Sequence, residues 1–136
     1  MDKRQLIELY FKARAESDFD SLREIFSDDV KIYNVNFPVY LGVEGIKNFC
    51  EDFQKRISHS TFEIIDIIEK CSLSMVEWSA VLMYKEGAQV AGMVVKTPFT
   101  FTLRGVNRFD FVNGKVSGLR VYHETTTALN LVKANS

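Results

Sequence analysis

The sequence predicts an α+β fold in which helices come first and the sheet last. Three observations carry this expectation. Apolar residues recur at helical spacing only as far as about Ile57, β-branched and aromatic residues alternate beyond it, and Asn113-Gly114 joins two alternating stretches as a tight hairpin would. Helices followed by strands, without a repeated strand-helix-strand unit, mark an α+β order and argue against a parallel doubly wound sheet.

The elements follow in order. Leu6, Leu9, Tyr10 and Ala13 predict a first helix from about Lys3 to Glu16, ended by Ser17-Asp18. Asp18 or Asp20 is placed to cap a second helix, because a short carboxylate accepts from the free N–H groups of a first turn. Phe19, Leu22, Ile25 and Phe26 supply its apolar face. Val30 to Tyr33 alternates as a strand, and after Gly42 the series Ile46, Phe49, Cys50, Phe53 and Ile57 gives a third helix with a strongly apolar stripe. Phe62 to Ile68, Met75 to Tyr84, Phe99 to Phe111 and Lys115 to His123 then read as strands. Lys85-Glu86-Gly87 turns the chain, and the segment from Gly87 to Pro98 fits no element and reads as a loop or lid near a cavity mouth.

Length and charge narrow the function. With 136 residues the chain is expected to be one domain, 1–136, able to bury about two thirds of the surface its unfolded form exposes. Cys50 and Cys71 lack metal or redox spacing and are expected to be reduced, buried thiols. A net charge of −1 and scattered basic residues provide no field for a phosphate backbone, so nucleic acid is not an expected partner. Met1-Asp2-Lys3-Arg4-Gln5 leads straight into an amphipathic pattern, and no apolar run reaches the length of a signal peptide or a membrane span. The expectation is a soluble cytoplasmic protein that does not engage a membrane. His59 and His123 are the only histidines, no metal-ligand spacing occurs, and neither a dinucleotide nor a phosphate-binding glycine loop is present, so no metal or cofactor is expected.

The opening third carries a resemblance. A tyrosine-bearing helix, an acidic break, Phe26-Ser27-Asp28-Asp29, a strand and then Gly42-Val43-Glu44-Gly45-Ile46 resemble the start of the nuclear transport factor 2 (NTF2)-like cones, which include ketosteroid isomerase and the SnoaL-like polyketide cyclases. The resemblance spans roughly residues 5 to 125. It implies a curved antiparallel sheet wrapped around the N-terminal helices with an apolar pocket between them. Trp78, Leu82, Phe101, Leu103, Phe109, Leu119 and Val121 alternate onto one sheet face and are expected to line that pocket.

The resemblance also implies roles. Tyr10 falls where the isomerases place an oxyanion-stabilising tyrosine, Asn107 on the aspartic acid that completes their oxyanion hole, and Asn34 on their general base, where an amide cannot take a proton. His123 lies near the rim of the last strand. Each residue also has a plainer reading. Tyr10 suits a core tyrosine, Asn34 a turn, and His123 a surface position, whereas Asn107 in mid-strand demands hydrogen-bond partners. Asp28-Asp29 reads as a solvated turn, and Arg104, Arg108 and Asp110 read as outward-facing. Glu77 and Glu124 enter the pocket only if the strand registers shift by one residue.

Two functions follow. The first is an isomerase, cyclase or dehydratase in which Tyr10 and Asn107 polarise a carbonyl of a mid-sized apolar or polycyclic molecule and His123 moves the proton. The second is a non-catalytic module that binds a hydrophobic ligand in the same pocket. A homodimer is expected through the outer face of the sheet, where parity places Thr100, Thr102, Arg104, Arg108 and Asp110, flanked by Tyr122 and Arg120.

Overall fold

The computed structural model describes residues 1–136. Helix α1 (Lys3–Glu16) begins at Asp2, whose carboxylate accepts from Gln5 N while the Gln5 side chain accepts from Asp2 N, satisfying two of the donors a helix start leaves free. Ser17, at φ 51°, ends it in a left-handed turn. Asp18 then caps α2 (Phe19–Ile25), accepting from both Ser21 N and Ser21 Oγ.

The second helix is shorter than its apolar pattern predicts. Phe26 belongs to strand β1 (Phe26–Asn34), buried against the core as the first strand residue. The ladder is irregular between Phe26 and Lys31, so Asp28-Asp29 is an exposed, bulged start to β1 and not a turn. Two-residue β2 (Tyr40–Leu41) precedes α3 (Gly42–Arg56). Gly45 lets that helix close on β2, because a Cβ there would come within 2.7 Å of the Tyr40 carbonyl carbon. Gly45 of that motif is therefore a packing requirement, and Gly42, at φ 63°, a conformational one.

Strands β3 (Ile57–Lys70), β4 (Leu73–Tyr84), β7 (Phe99–Val112) and β8 (Lys115–His123) complete a six-stranded sheet in the order β2-β1-β8-β7-β4-β3. Every pair is antiparallel except β1 with β8, which is parallel. The sheet is thus the expected curved antiparallel one, with a single parallel ladder. Asn113 and Gly114, at φ 52° and 75°, form the hairpin turn the dipeptide predicts. The sheet curves around α1 and α3, and a core of 30 buried apolar residues lies between them, with Tyr10, Phe49 and Phe109 among its largest members.

Two parts of the structure differ from the reading of the sequence. The 87–98 segment contains a small hairpin, β5 (Gln89–Val90) with β6 (Met93–Val94), pinned by buried Ala88 and Val95. A C-terminal helix α4 (Thr126–Ala134) was not expected. It is held by buried Val132 and by Asn135 O, which accepts from Lys96 N and Thr97 N. Of the two cysteines only Cys50 is buried; Cys71 is exposed in the turn between β3 and β4. No helix is long and apolar enough to cross a membrane.

Candidate active-site cavity

A cavity of about 80 Å³ lies between α1, α3 and the concave face of the sheet. Tyr10, Asn34, Asn107 and His123 all line it, as do Trp78, Leu82, Leu103 and Val121. Phe101, Phe109 and Leu119 do not, which corrects the expected lining. Phe109 sits below the cavity floor against the edge of Tyr10, with ring centroids 5.2 Å apart, and Leu119 is sealed in the same layer. Phe101 stacks on Tyr84 at 5.3 Å, toward the open end. Parity assigned these three the correct face of the sheet, but a cone is filled at its closed end by its own side chains, so facing inward does not mean facing the void.

At the centre, Trp78 Nε1 donates to Asn107 Oδ1 over 2.9 Å. An indole N–H is donor-only, so this bond fixes the amide orientation and leaves the Asn107 NH₂ as the group available to other partners. The buried Tyr10 hydroxyl has its pKa pushed up to about 12, chiefly by burial, with Arg14 and the Asn107 side chain pulling the other way. Tyr10 therefore stays protonated across the physiological range. Two neutral donors, a phenol and an oriented amide, meet on one side of the cavity.

Asn34 opens the turn that follows β1, its carbonyl accepting from Phe37 N over 2.9 Å, as its plainer reading anticipates. It is the last residue of β1, paired with Val121, and its Oδ1 is buried without a hydrogen-bond partner. Glu77 and Glu124 are exposed, and no carboxylate lines the cavity. His123 is the one imidazole there. Its Nδ1 lies 3.1 Å from Glu124 O, and because a carbonyl only accepts, Nδ1 carries the hydrogen and Nε2 is left as the basic nitrogen. Burial lowers the His123 pKa, the bond to Glu124 O opposes that shift, and Arg56 and Arg14 add to it. The ring is thus neutral and ready to accept a proton near pH 7.

The residues missed in the sequence are the arginines. Arg14 is only 7% exposed and donates from Nη1 to Phe49 O over 3.0 Å. Its guanidinium lies between the rings of Phe49 and Phe53, 3.6 and 4.1 Å from their centroids. Arg56, at the end of α3, packs over Phe37 at 4.3 Å. The sequence held a signal: Arg14 follows Leu6 and Tyr10 at four-residue steps, which puts a charge on the apolar stripe of α1.

Above this cavity lies an outer chamber of about 450 Å³, walled by Val90 and Ala91 of the small hairpin and by Ala128 and Leu129 of α4. Phe37, Arg56, Tyr84 and His123 line both spaces and form the threshold between them. The inner cavity alone is too small for a drug-sized molecule, whereas the two together fall within the roughly 300–1,000 Å³ of small-ligand sites.

Solved structures share the whole architecture. A Shewanella denitrificans protein, provisionally described as a SnoaL-like polyketide cyclase, superposes with a TM-score of 0.81 at 18% identity, with 96% of each chain covered. IdmH of Streptomyces antibioticus, provisionally described as a polyketide cyclase, gives 0.77 at 17% identity over 98% of this chain and 99% of its own. TerC, co-crystallised with polyporic acid, gives 0.77 at 15% identity over 96% and 97%. At such identities the likeness establishes the fold. A comparison with curated proteins returns no match. The family profile described as a SnoaL-like domain matches residues 7–119, and the chain belongs to that family.

Proposed function

We propose that this protein is an acid–base enzyme of the cyclase or isomerase kind, acting on a mid-sized, largely apolar carbonyl compound. In this reading His123 Nε2 removes a proton from a carbon next to the carbonyl. The C–H bond breaks, an N–H bond forms, and the electron pair moves onto the carbonyl oxygen, where the Tyr10 hydroxyl and Asn107 amide stabilise the enolate. The imidazolium then returns its proton, to another carbon in an isomerisation or to the oxygen of a new alcohol after the enolate carbon attacks a second carbonyl.

The observation that carries this reading is one cavity holding a neutral imidazole, a protonated phenol and an amide oriented by Trp78. Membership of the SnoaL-like family, and neighbours provisionally described as polyketide cyclases, support the same reaction class. The competing reading, a module that binds ligand without chemistry, draws on Asn34 standing where a carboxylate base is expected.

Exchange of the α-protons of 2-tetralone in D₂O, followed by NMR, separates them. The enzyme reading predicts exchange accelerated well above buffer and slowed about 10²–10³-fold in Tyr10→Phe, the scale of losing one oxyanion donor. Exchange at the buffer rate, with 2-tetralone bound, would favour the binding module.

A further inference from the structure

The inner cavity contains two guanidinium groups and no anion. Arg14 has five N–H donors and one protein acceptor, Phe49 O. Arg56 keeps its Nε buried with no partner. The two ion pairs of the chain, Arg4–Glu8 and Arg108–Asp110, are elsewhere. Asp52, one turn before Arg56, favours its charged form from a distance but makes no ion pair with it, and accepts a 2.5 Å hydrogen bond from the Tyr40 hydroxyl. Tyr10, Tyr40 and Cys50, the acidic groups that Arg14 senses, are all kept neutral by burial raising their pKa values, with Asp52 adding to the effect at Tyr40.

A buried charge without a full counter-ion is costly, and aromatic faces recover only part of that cost. An apolar residue would serve the packing better. Asn34 Oδ1 is orphaned in the same cavity. That oxygen is an acceptor, so it suits an N–H or O–H of a ligand and is no partner for a carboxylate.

We propose that the cavity receives a carboxylate-bearing ligand, its carboxylate seated on Arg14 and Arg56 and its apolar body in the outer chamber. The volumes agree. The inner space of about 80 Å³ takes a carboxylate, while the bulk of a mid-sized ligand needs the outer chamber of about 450 Å³. The chamber beyond Arg56 is apolar on its hairpin and α4 sides and several times larger. A planar guanidinium matches a carboxylate with two parallel hydrogen bonds, and in a desolvated site such bonds discriminate strongly against a neutral isostere.

This inference rests on the cavity being the ligand site proposed above, but not on turnover. Calorimetric titration of 2-naphthoate and its neutral isostere 2-naphthamide tests it by equilibrium binding. The acid is expected to bind at least tenfold more tightly than the amide, and Arg14→Met and Arg56→Met are each expected to erase most of that preference. Equal affinity of acid and amide for the unaltered protein, or no naphthoate binding at millimolar concentration, overturns the proposal whether or not the variants fold. A preference kept in both folded variants overturns it as well. Because 2-tetralone carries no carboxylate, failure of its exchange reaction leaves this result independent.

Discussion

The indole of Trp78 lies across Gly105, its partner in the β4–β7 ladder, and a Cβ on Gly105 would come within 2.4 Å of the indole Cζ2 and of Tyr122 O. Only glycine leaves this space open. The bare backbone lets the indole lie flat on the strand, which brings Nε1 to Asn107. Gly105→Ala is expected to lower stability by about 1–3 kcal/mol, the usual cost of forcing extra volume into a packed site. Urea unfolding checks this; an unchanged midpoint would mean the indole has room to move.

Trp78→Phe retains an aromatic ring but removes the donor. Asn107 Oδ1 is then buried without a partner, a loss of about 1–3 kcal/mol, and the amide is free to rotate its NH₂ away from the reacting oxygen. The exchange rate is expected to fall, though by less than the 10²–10³-fold or so of deleting a donor outright. Rates equal to those of the unaltered protein would show that Asn107 is oriented by something else.

Arg14→Met tests whether the arginine is kept for function or for stability. Replacing a buried, unpaired cation by an apolar side chain of similar shape is expected to leave the melting temperature unchanged or higher, despite the lost bond to Phe49 O. A large fall, by more than about 3 kcal/mol in urea, would instead mark Arg14 as a structural strut between α1 and α3.

The outer face of the sheet is expected to pair two copies of the chain. Tyr122 and Val81 are exposed there, and Arg120 lies 5.1 Å from the Tyr33 ring, a mixed surface of the sort that homodimers bury. Sedimentation at tens of micromolar should show a dimer that Tyr122→Glu disrupts. A monomer throughout that range would remove the idea.

Much of the fold was legible because it is written locally. The Asp18 cap, the Asn113-Gly114 turn and the alternation through Trp78 depend on neighbours a few residues away. The C-terminal helix was not, since Thr125, Thr126 and Thr127 are poor helix formers and the segment is ordered by distant partners, the backbone of Lys96 and Thr97. In the site, parity placed Asn107, Val121 and His123 on the correct face but could not tell Leu103, at the void, from Phe109, beneath it. Arg14 was legible as a misplaced charge, yet its meaning depends on the absence of any carboxylate, which only the assembled cavity reveals.

The central claim is that His123 is the base, and its pH profile tests it most directly. Burial lowers its folded pKa below the ordinary value of about 6.5. Exchange of 2-tetralone should therefore be flat through neutral pH and fall only as the pH drops below that value and the ring gains a proton. The same shift carries a stability effect of the same sign: it is fully present above about 6.5 and lost as acid protonates His123. His123→Gln should slow exchange by about 10²–10⁴-fold and abolish the acid limb. An acid limb and a rate that both survive in His123→Gln would contradict the account.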